Sequence, residues 1–411
     1  MPRLPVASYG RDRMIGAGRP THSLLPMPMR SENVEVNETH WPATVMRIGI
    51  DARELLERAT GVGRYLENLC RAWAQSARTR NHQFTLYIPA QPESGRQLLP
   101  FLKSRDERFE VRLVSGSLGT WWEQVTLPSI VNQAKLDVFF SPAYGAPLRI
   151  RAPVVVTIPD VSFAAHPEWF RWREGLRRRW LAARATQCAA RILTISEFSK
   201  REIVNWFGVN PDHIDVTPLA VDDRLSCPNA RVTREPLILF IGSIFTRRHL
   251  PWLISAFARA VEREPEARLA IIGSNRSHPV EDLWHLSDLA GVRTRVTIED
   301  WVDDTRLATY YGRARAFAFL SEYEGFGLPP LEALAAGIPI IVLDTPVARE
   351  VYGDAATYVA AGNITSIADA LVQALSARPT QSPAVLKRYS WARTADVTLD
   401  ALERATGSNP P

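Results

Sequence analysis

The chain has 411 residues, of which 46% are hydrophobic and 23% charged, too long for one ordinary domain and apolar enough for two packed cores. Its formal charge of +5 permits anionic partners without naming one. Cys70, Cys188 and Cys227 stand far apart with no Cys-x-x-Cys pair, against a disulfide framework or structural zinc, and no run reaches the ~18 apolar residues that span a bilayer. No export series opens the chain, so the expected location is cytoplasmic, peripheral to a membrane at most.

Residues 1–45 are rich in Pro, Gly, Ser, Arg and Met without periodicity, the expectation for a disordered extension or a mis-assigned start, with Met46 as the candidate first residue. Met46–Asp51 then predicts a buried strand. Thr60-Gly61-Val62-Gly63-Arg64-Tyr65 follows, leading into an amphipathic helix with Tyr65, Leu66, Leu69 and Trp73 near one face. Gly-x-Gly between strand and helix suits the first turn of a nucleotide-binding fold, although a lone Gly-x-Gly is a weak signal.

Apolar runs at Phe84–Ile88, Val111–Val114, Asp137–Phe140, Val154–Ile158, Arg191–Ile195 and Ile214–Thr217 continue the series, several of them separated by helical patterns. Residues 221–236 carry Pro228 and Pro236 with mixed charge and suit a linker. A second series starts at Leu237–Ile241 and runs through Arg268–Ile272, Arg295–Ile298, Arg315–Leu320, Pro339–Leu343 and Thr357–Val359. Helices are expected near 249–264, 279–290, 304–313, 329–336 and 364–376. The class is therefore α/β, with two Rossmann-like doubly wound domains over 46–220 and 237–388 facing across a cleft. No strand follows the last helix, around Ser390–Ala405, and residues 389–411 are expected to pack it back toward the N-terminal domain before a short tail.

One stretch concentrates chemistry. Ala316–Gly337 predicts a strand, a loop bearing Gly325 and Gly327, and a helix with Pro329 and Pro330 in its first turn and Gly337 after its last. Free amides at such a helix start form an anion site, with Glu324 and Glu332 flanking it. A plain turn with two solvated glutamates fits the spacing equally well.

The Glu324-Gly325-Phe326-Gly327-Leu328-Pro329 run, with Glu332 after it, resembles the donor-site signature of retaining glycosyltransferases of family four, which have the GT-B fold. Gly242-Ser243-Ile244-Phe245-Thr246-Arg247-Arg248-His249 is similar to that family's Gly-x-x-x-x-Arg-Lys-Asn segment. Ile50-Asp51-Ala52-Arg53, Trp122-Glu123-Gln124, His166-Pro167-Glu168 and Ser196-Glu197-Phe198-Ser199 agree with it, extending the resemblance over about residues 46–405.

The resemblance implies a site. Arg247 and Arg248 would bind the donor diphosphate and steady the leaving group, with Ser243 beside them. The amides of Gly325, Phe326, Gly327 and Leu328 would add partial positive charge. Glu324 would contact hydroxyls of the transferred sugar and Glu332 the ribose, while Trp301 and Val302 correspond to the base-contacting segment; a buried strand-end Trp fits that position as well. Gly61 and Gly63 would face the diphosphate or the acceptor. With no Asp-x-Asp motif, metal independence and no cofactor are expected. The substrates implied are a GDP- or UDP-linked hexose, mannose favoured, and a hydroxyl of a glycan or lipid-linked glycan.

Two departures stand out. Arg248 replaces the usual lysine in a chain with only Lys103, Lys135, Lys200 and Lys387. Pro159 stands where relatives commonly have the histidine of a His-Asp pair, leaving Asp160 to orient acceptor or sugar; a catalytically silent sugar-nucleotide-binding scaffold is the alternative. Arg171, Arg173, Arg177, Arg178, Arg179 and Arg184 lie among Trp169, Phe170, Trp172 and Trp180. That helix suits anionic lipid, an anionic acceptor, or a solvated face over an ordinary core stripe. No recognition module accompanies the charge, so nucleic acid is not expected.

Overall fold

The computed structural model describes residues 45–55, 61–90, 106–116, 119–222, 234–377 and 384–407. The extension expected over 1–45 (apart from Val45), the middle of the 221–236 linker and the end of the tail lie outside the described residues.

The first sheet holds seven strands: β1 (Arg47–Asp51), β2 (Gln83–Ala90), β3 (Phe109–Ser115), β4 (Val138–Ser141), β5 (Val154–Thr157), β6 (Arg191–Thr194) and β7 (Ile214–Val216). They run in the order β3-β2-β1-β4-β5-β6-β7, every pair parallel. Parallel neighbours need crossover helices, which cover both faces of the sheet, so the inner strands β1, β4 and β5 are buried along almost their whole length, while the edge strand β3 stays largely exposed. Successive side chains go to opposite faces. Tyr87 and Phe139 join one core with Trp122, Val156 and Phe163, while Leu86, Ile88 and Phe140 join the other with Trp73 and Phe84.

The second sheet holds six strands: β8 (Leu237–Ile241), β9 (Arg268–Ile272), β10 (Val296–Glu299), β11 (Ala316–Phe319), β12 (Ile340–Leu343) and β13 (Ala356–Val359). Their order is β10-β9-β8-β11-β12-β13, again all parallel. In both sheets the order reverses beside the first strand, between β1 and β4 and between β8 and β11. Loops leaving the carboxyl ends of those strands diverge and open a crevice.

The last helix, Trp391–Thr406, lies on the first sheet: Ala395, Leu399 and Leu402 enter its core, Trp73 Nε1 donates to the Ala395 carbonyl at 3.0 Å, and Arg78 pairs with Asp400 at 2.6 Å. Two local details differ from the sequence expectation. The helix expected from 279 starts at Leu283, because Ser277 Oγ holds the Glu281 amide at 2.8 Å in a loop and Asp282 caps at the His285 amide, 3.0 Å away. A helix not separated in the sequence, Pro346–Tyr352, is started by Thr345, whose hydroxyl caps the Ala348 amide, with proline in its first turn.

Candidate active site

The chain leaves β8 through Gly242, whose φ of +137° and whose absent Cβ both matter: a Cβ there would sit 2.5 Å from Arg248 Nη1. Glycine therefore lets the guanidinium lie against the backbone. Thr246–Arg248 makes one turn of 3-10 helix, and His249, at φ +46°, swings the chain into the helix Leu250–Arg263. That left-handed position is one asparagine and histidine tolerate better than most residues.

Arg247 and Arg248 are each 8% exposed. Arg248 donates from Nε and Nη2 to Glu324 Oε1, both at 2.8 Å, and from Nη1 to the Ser243 carbonyl at 2.7 Å. Burial lowers its pKa from the usual value and the Glu324 charge works against that, yet guanidinium pKa values lie so high that it remains a cation. Arg247 donates to the Tyr323 carbonyl at 3.1 Å and lies over the rings of Phe245 and Trp169, 4.3 and 5.8 Å from their centroids. Trp169 belongs to the other domain, so Arg247 faces the crevice.

Glu324 also accepts from Ser321 Oγ at 2.8 Å. Beyond it the two glycines have reasons the motif did not state. A Cβ on Gly325 would stand 2.3 Å from the Pro159 carbonyl of the N-terminal domain, and Ser196 Oγ donates to the Gly325 carbonyl at 2.6 Å. Gly327 adopts φ +89°, and a Cβ there would meet the Tyr352 hydroxyl at 2.0 Å. Gly327 caps the helix Leu328–Ala335, and Phe326 is buried against Tyr389.

Glu332 sits one turn deeper, 3% exposed. Its Oε2 accepts from Tyr311 Oη at 2.6 Å, and its Oε1 faces Arg64 Nη1 at 3.5 Å across the crevice. Arg64 also reaches Asp304 at 3.1 Å. Burial raises the Glu332 pKa, against the Arg64 charge and the Tyr311 hydrogen bond. Arg64 is carried by the helix Gly61–Gln75, which begins at Gly61 with Gly63 buried in its first turn, so both glycines open the element that faces Glu332.

The opposite wall is the loop after β5. Asp160 accepts from Tyr144 Oη at 2.7 Å and from the Ser162 amide at 2.9 Å, which ties this loop to the one after β4. The Pro159 carbonyl accepts from Ser199 Oγ at 2.8 Å. Two blocks distant in sequence brace the same wall: Arg53 pairs with Asp51 and reaches Glu123 at 2.9 Å, and Gln124 donates to the Ala146 carbonyl at 3.0 Å. On the far flank of the arginine turn, a cavity of about 500 Å³ is lined by Gly273, Asn275, Glu281, Ile298 and Asp300 among others. Thr246 and His278 tie its wall to that turn through reciprocal 3.1 Å bonds. Trp301, half exposed, and the buried Val302 follow directly after Asp300.

The structure thus gathers Ser243, Arg247, Arg248, Glu324 and Gly325–Leu328 at the ends of β8 and β11, with Glu332 beneath, Trp301 and Val302 at the end of β10, and Asp160 across the crevice. Sequence reasoning gave no role to Arg64 or Tyr311. Only Arg64 had a local signal, its place directly after Gly-x-Gly.

Paired Rossmann-like domains with cations and carboxylates at one switch point make up the two-domain GT-B architecture of glycosyltransferases. The model of the "Glycosyltransferase Family 4" group matches residues 59–225, and that of "Glycosyl transferases group 1" matches 223–391. O-antigen chain mannosyltransferase B of Escherichia coli is 26% identical over 287 residues, 64% of this chain and 73% of that protein. The MMP alpha-(1->4)-mannosyltransferase of Mycolicibacterium hassiacum is 29% identical over 255 residues, 57% of this chain and 60% of that protein. Among solved structures, WaaG, a glycosyltransferase involved in lipopolysaccharide biosynthesis, superposes with a TM-score of 0.61 at 17% identity, covering 88% of this chain and 98% of its own. The chain belongs to the group 1, family four glycosyltransferases.

Proposed function

We propose that this glycosyltransferase moves a hexose, mannose favoured, from a GDP- or UDP-linked donor to a hydroxyl of a glycan or lipid-linked glycan, with retention and without a metal ion. The observation that carries the reading is the pair Arg247 and Arg248, buried together at the end of β8 with Arg248 locked on Glu324. Two fixed cations where a diphosphate departs stabilise charge that grows only in the transition state, which lowers the barrier rather than only the binding constant. They supply the electrostatic work a metal ion would otherwise do.

Retention follows a front-face course in this proposal. The acceptor oxygen bonds the anomeric carbon on the face from which the phosphate oxygen leaves, the old carbon–oxygen bond breaks, and the departing phosphate oxygen takes the acceptor proton. No enzyme nucleophile is needed. Pro159 offers no side-chain donor, so sugar orientation falls to Glu324, and Asp160 acts by holding the wall of the acceptor side. Glu332, one turn into the helix that starts at Leu328 and bonded to Tyr311, is the acceptor assigned to the ribose hydroxyls, and the cavity beside Asp300 has room for a base. Mannose is supported by the two mannosyltransferase relatives.

Donor consumption over a panel of GDP-, UDP- and ADP-sugars, with the anomeric configuration of the product read by NMR, tests the proposal. Retained configuration with a GDP- or UDP-hexose, unaffected by EDTA, is the expected result. Inverted product, or tight donor binding with no turnover in the presence of acceptor extracts, would overturn it; the second outcome is that of a silent scaffold.

A further inference from the structure

The helix Trp172–Cys188 keeps its small residues inside and its large ones outside. Its buried positions are Gly175, Ala182, Ala185 and Thr186, while Trp172, Leu176 and Trp180, spaced four apart on one stripe, are 71%, 62% and 57% exposed. A helix that only covers a core is built the other way round. Trp121 and Trp206, 70% and 43% exposed, flank the stripe on its two sides: Arg177 bonds Thr120 beside Trp121 at 2.7 Å, and Arg179 lies 5.9 Å over Trp206. Lone exposed apolar residues are ordinary, whereas several large exposed side chains on one helix stripe mark a docking surface.

The charge on this face has one sign. Arg173, Arg177, Arg179 and Arg184 are exposed around the stripe, and the helix's single acid, Glu174, is held by Arg178 at 2.6 Å. We propose that this face docks on an anionic lipid bilayer, with the tryptophan rings at the headgroup–acyl boundary and the guanidinium groups on lipid phosphates. Tryptophan favours that boundary, and an arginine fork matches a phosphate oxygen pair. A second copy of the chain is a poorer occupant, because a twofold contact would bring arginine against arginine. A nucleic-acid duplex, its bases already stacked, would satisfy the arginines and leave Leu176 and the outer tryptophans without an apolar partner.

The docked face would adjoin the crevice. Trp169, just before the helix, lies under the Arg247 guanidinium, 5.8 Å from ring centroid to Cζ, so a lipid-anchored acceptor would lie beside the leaving-group site. That consequence rests on the proposed function; the docking does not.

Cosedimentation of the full chain with phosphatidylcholine vesicles, with and without phosphatidylglycerol, tests the proposal independently of catalysis. Wild-type protein should partition to the anionic vesicles only, less so at high salt. Trp172→Ala/Trp180→Ala should lower that partition at least about fivefold, and Arg173→Glu/Arg177→Glu about tenfold or more. Both variants alter solvent-facing positions and should keep the wild-type circular dichroism and the wild-type affinity for GDP and UDP. Equal partition to neutral and anionic vesicles, or variants that partition like wild type, would overturn the proposal. So would a dimer in sedimentation velocity that the tryptophan variant dissolves while vesicle binding stays absent.

Discussion

Arg248 and Glu324 close an ion pair between two neighbouring parallel strands, Nη2 to Oε1 at 2.8 Å, with side chains 10% and 15% exposed. One residue follows β8 and the other follows β11. The pair fixes the guanidinium before any ligand arrives, and electrostatic catalysis depends on that kind of preorganisation.

Glu324→Gln leaves Arg248 charged, buried and uncompensated. Breaking a buried pair from one side costs roughly 3 kcal/mol, so urea unfolding should show a loss of that order. Donor turnover should fall about tenfold or more, because the same change misplaces a phosphate-binding group. Unchanged stability and turnover would contradict the role assigned to the pair.

Glu350 crosses the domain boundary to cap the helix Glu197–Phe207, taking the Glu197 amide at 2.7 Å and the Phe198 amide at 2.8 Å. A carboxylate at a helix start contributes about 1 kcal/mol, here to domain closure. Glu350→Ala should enlarge the radius of gyration in X-ray scattering and raise the donor KM several-fold, while thermal unfolding moves little. A scattering profile identical to wild type would remove Glu350 as a closing contact.

Gly325 and Gly61 make a paired test. Gly325→Ala places a methyl 2.3 Å from the Pro159 carbonyl and should wedge the domains apart, lowering kcat and raising KM together. Gly61→Ala meets no atom within 4 Å at a helix start. It should leave stability unchanged or raised by up to about 1 kcal/mol, read by thermal unfolding. A harmless Gly325→Ala would mean the loop stands clear of Pro159.

The pH dependence of stability follows from Glu332. Burial raises its folded-state pKa, so the stability it contributes is fully present below the unfolded carboxylate value of about 4.3 and is lost as pH rises through the folded value. Glu332→Gln mimics the neutral acid and removes that dependence. The Tm of Glu332→Gln relative to wild type should therefore rise between acid and neutral pH, while affinity for the nucleoside diphosphate falls. Parallel Tm curves would contradict a raised pKa.

Much of this was legible in the chain. β8 and β11 announce themselves because strands buried on both faces are apolar throughout, and Arg247, Arg248, Glu324 and Glu332 stand in spaced motifs. The pairings of Arg64, Tyr311 and Glu350 were not legible, since their partners lie 268, 21 and 153 residues away and only the packing brings them together. The tryptophans of the Trp172–Cys188 helix misled in a different way. Their fourfold spacing is also that of a core stripe, and only the burial of Gly175, Ala182 and Ala185 shows which face points inward.

The central claim is that Arg247 and Arg248 stabilise the departing diphosphate. Its most direct test is the kcat of wild type and of Arg247→Ala with whichever donor of the panel is consumed, alongside circular dichroism to verify the fold. The account predicts a loss of about 10²–10³ in kcat, the scale of removing one preorganised charge-stabilising group. A kcat within about twofold of wild type would contradict it, since the rate difference would then correspond to less than ~0.5 kcal/mol of transition-state stabilisation.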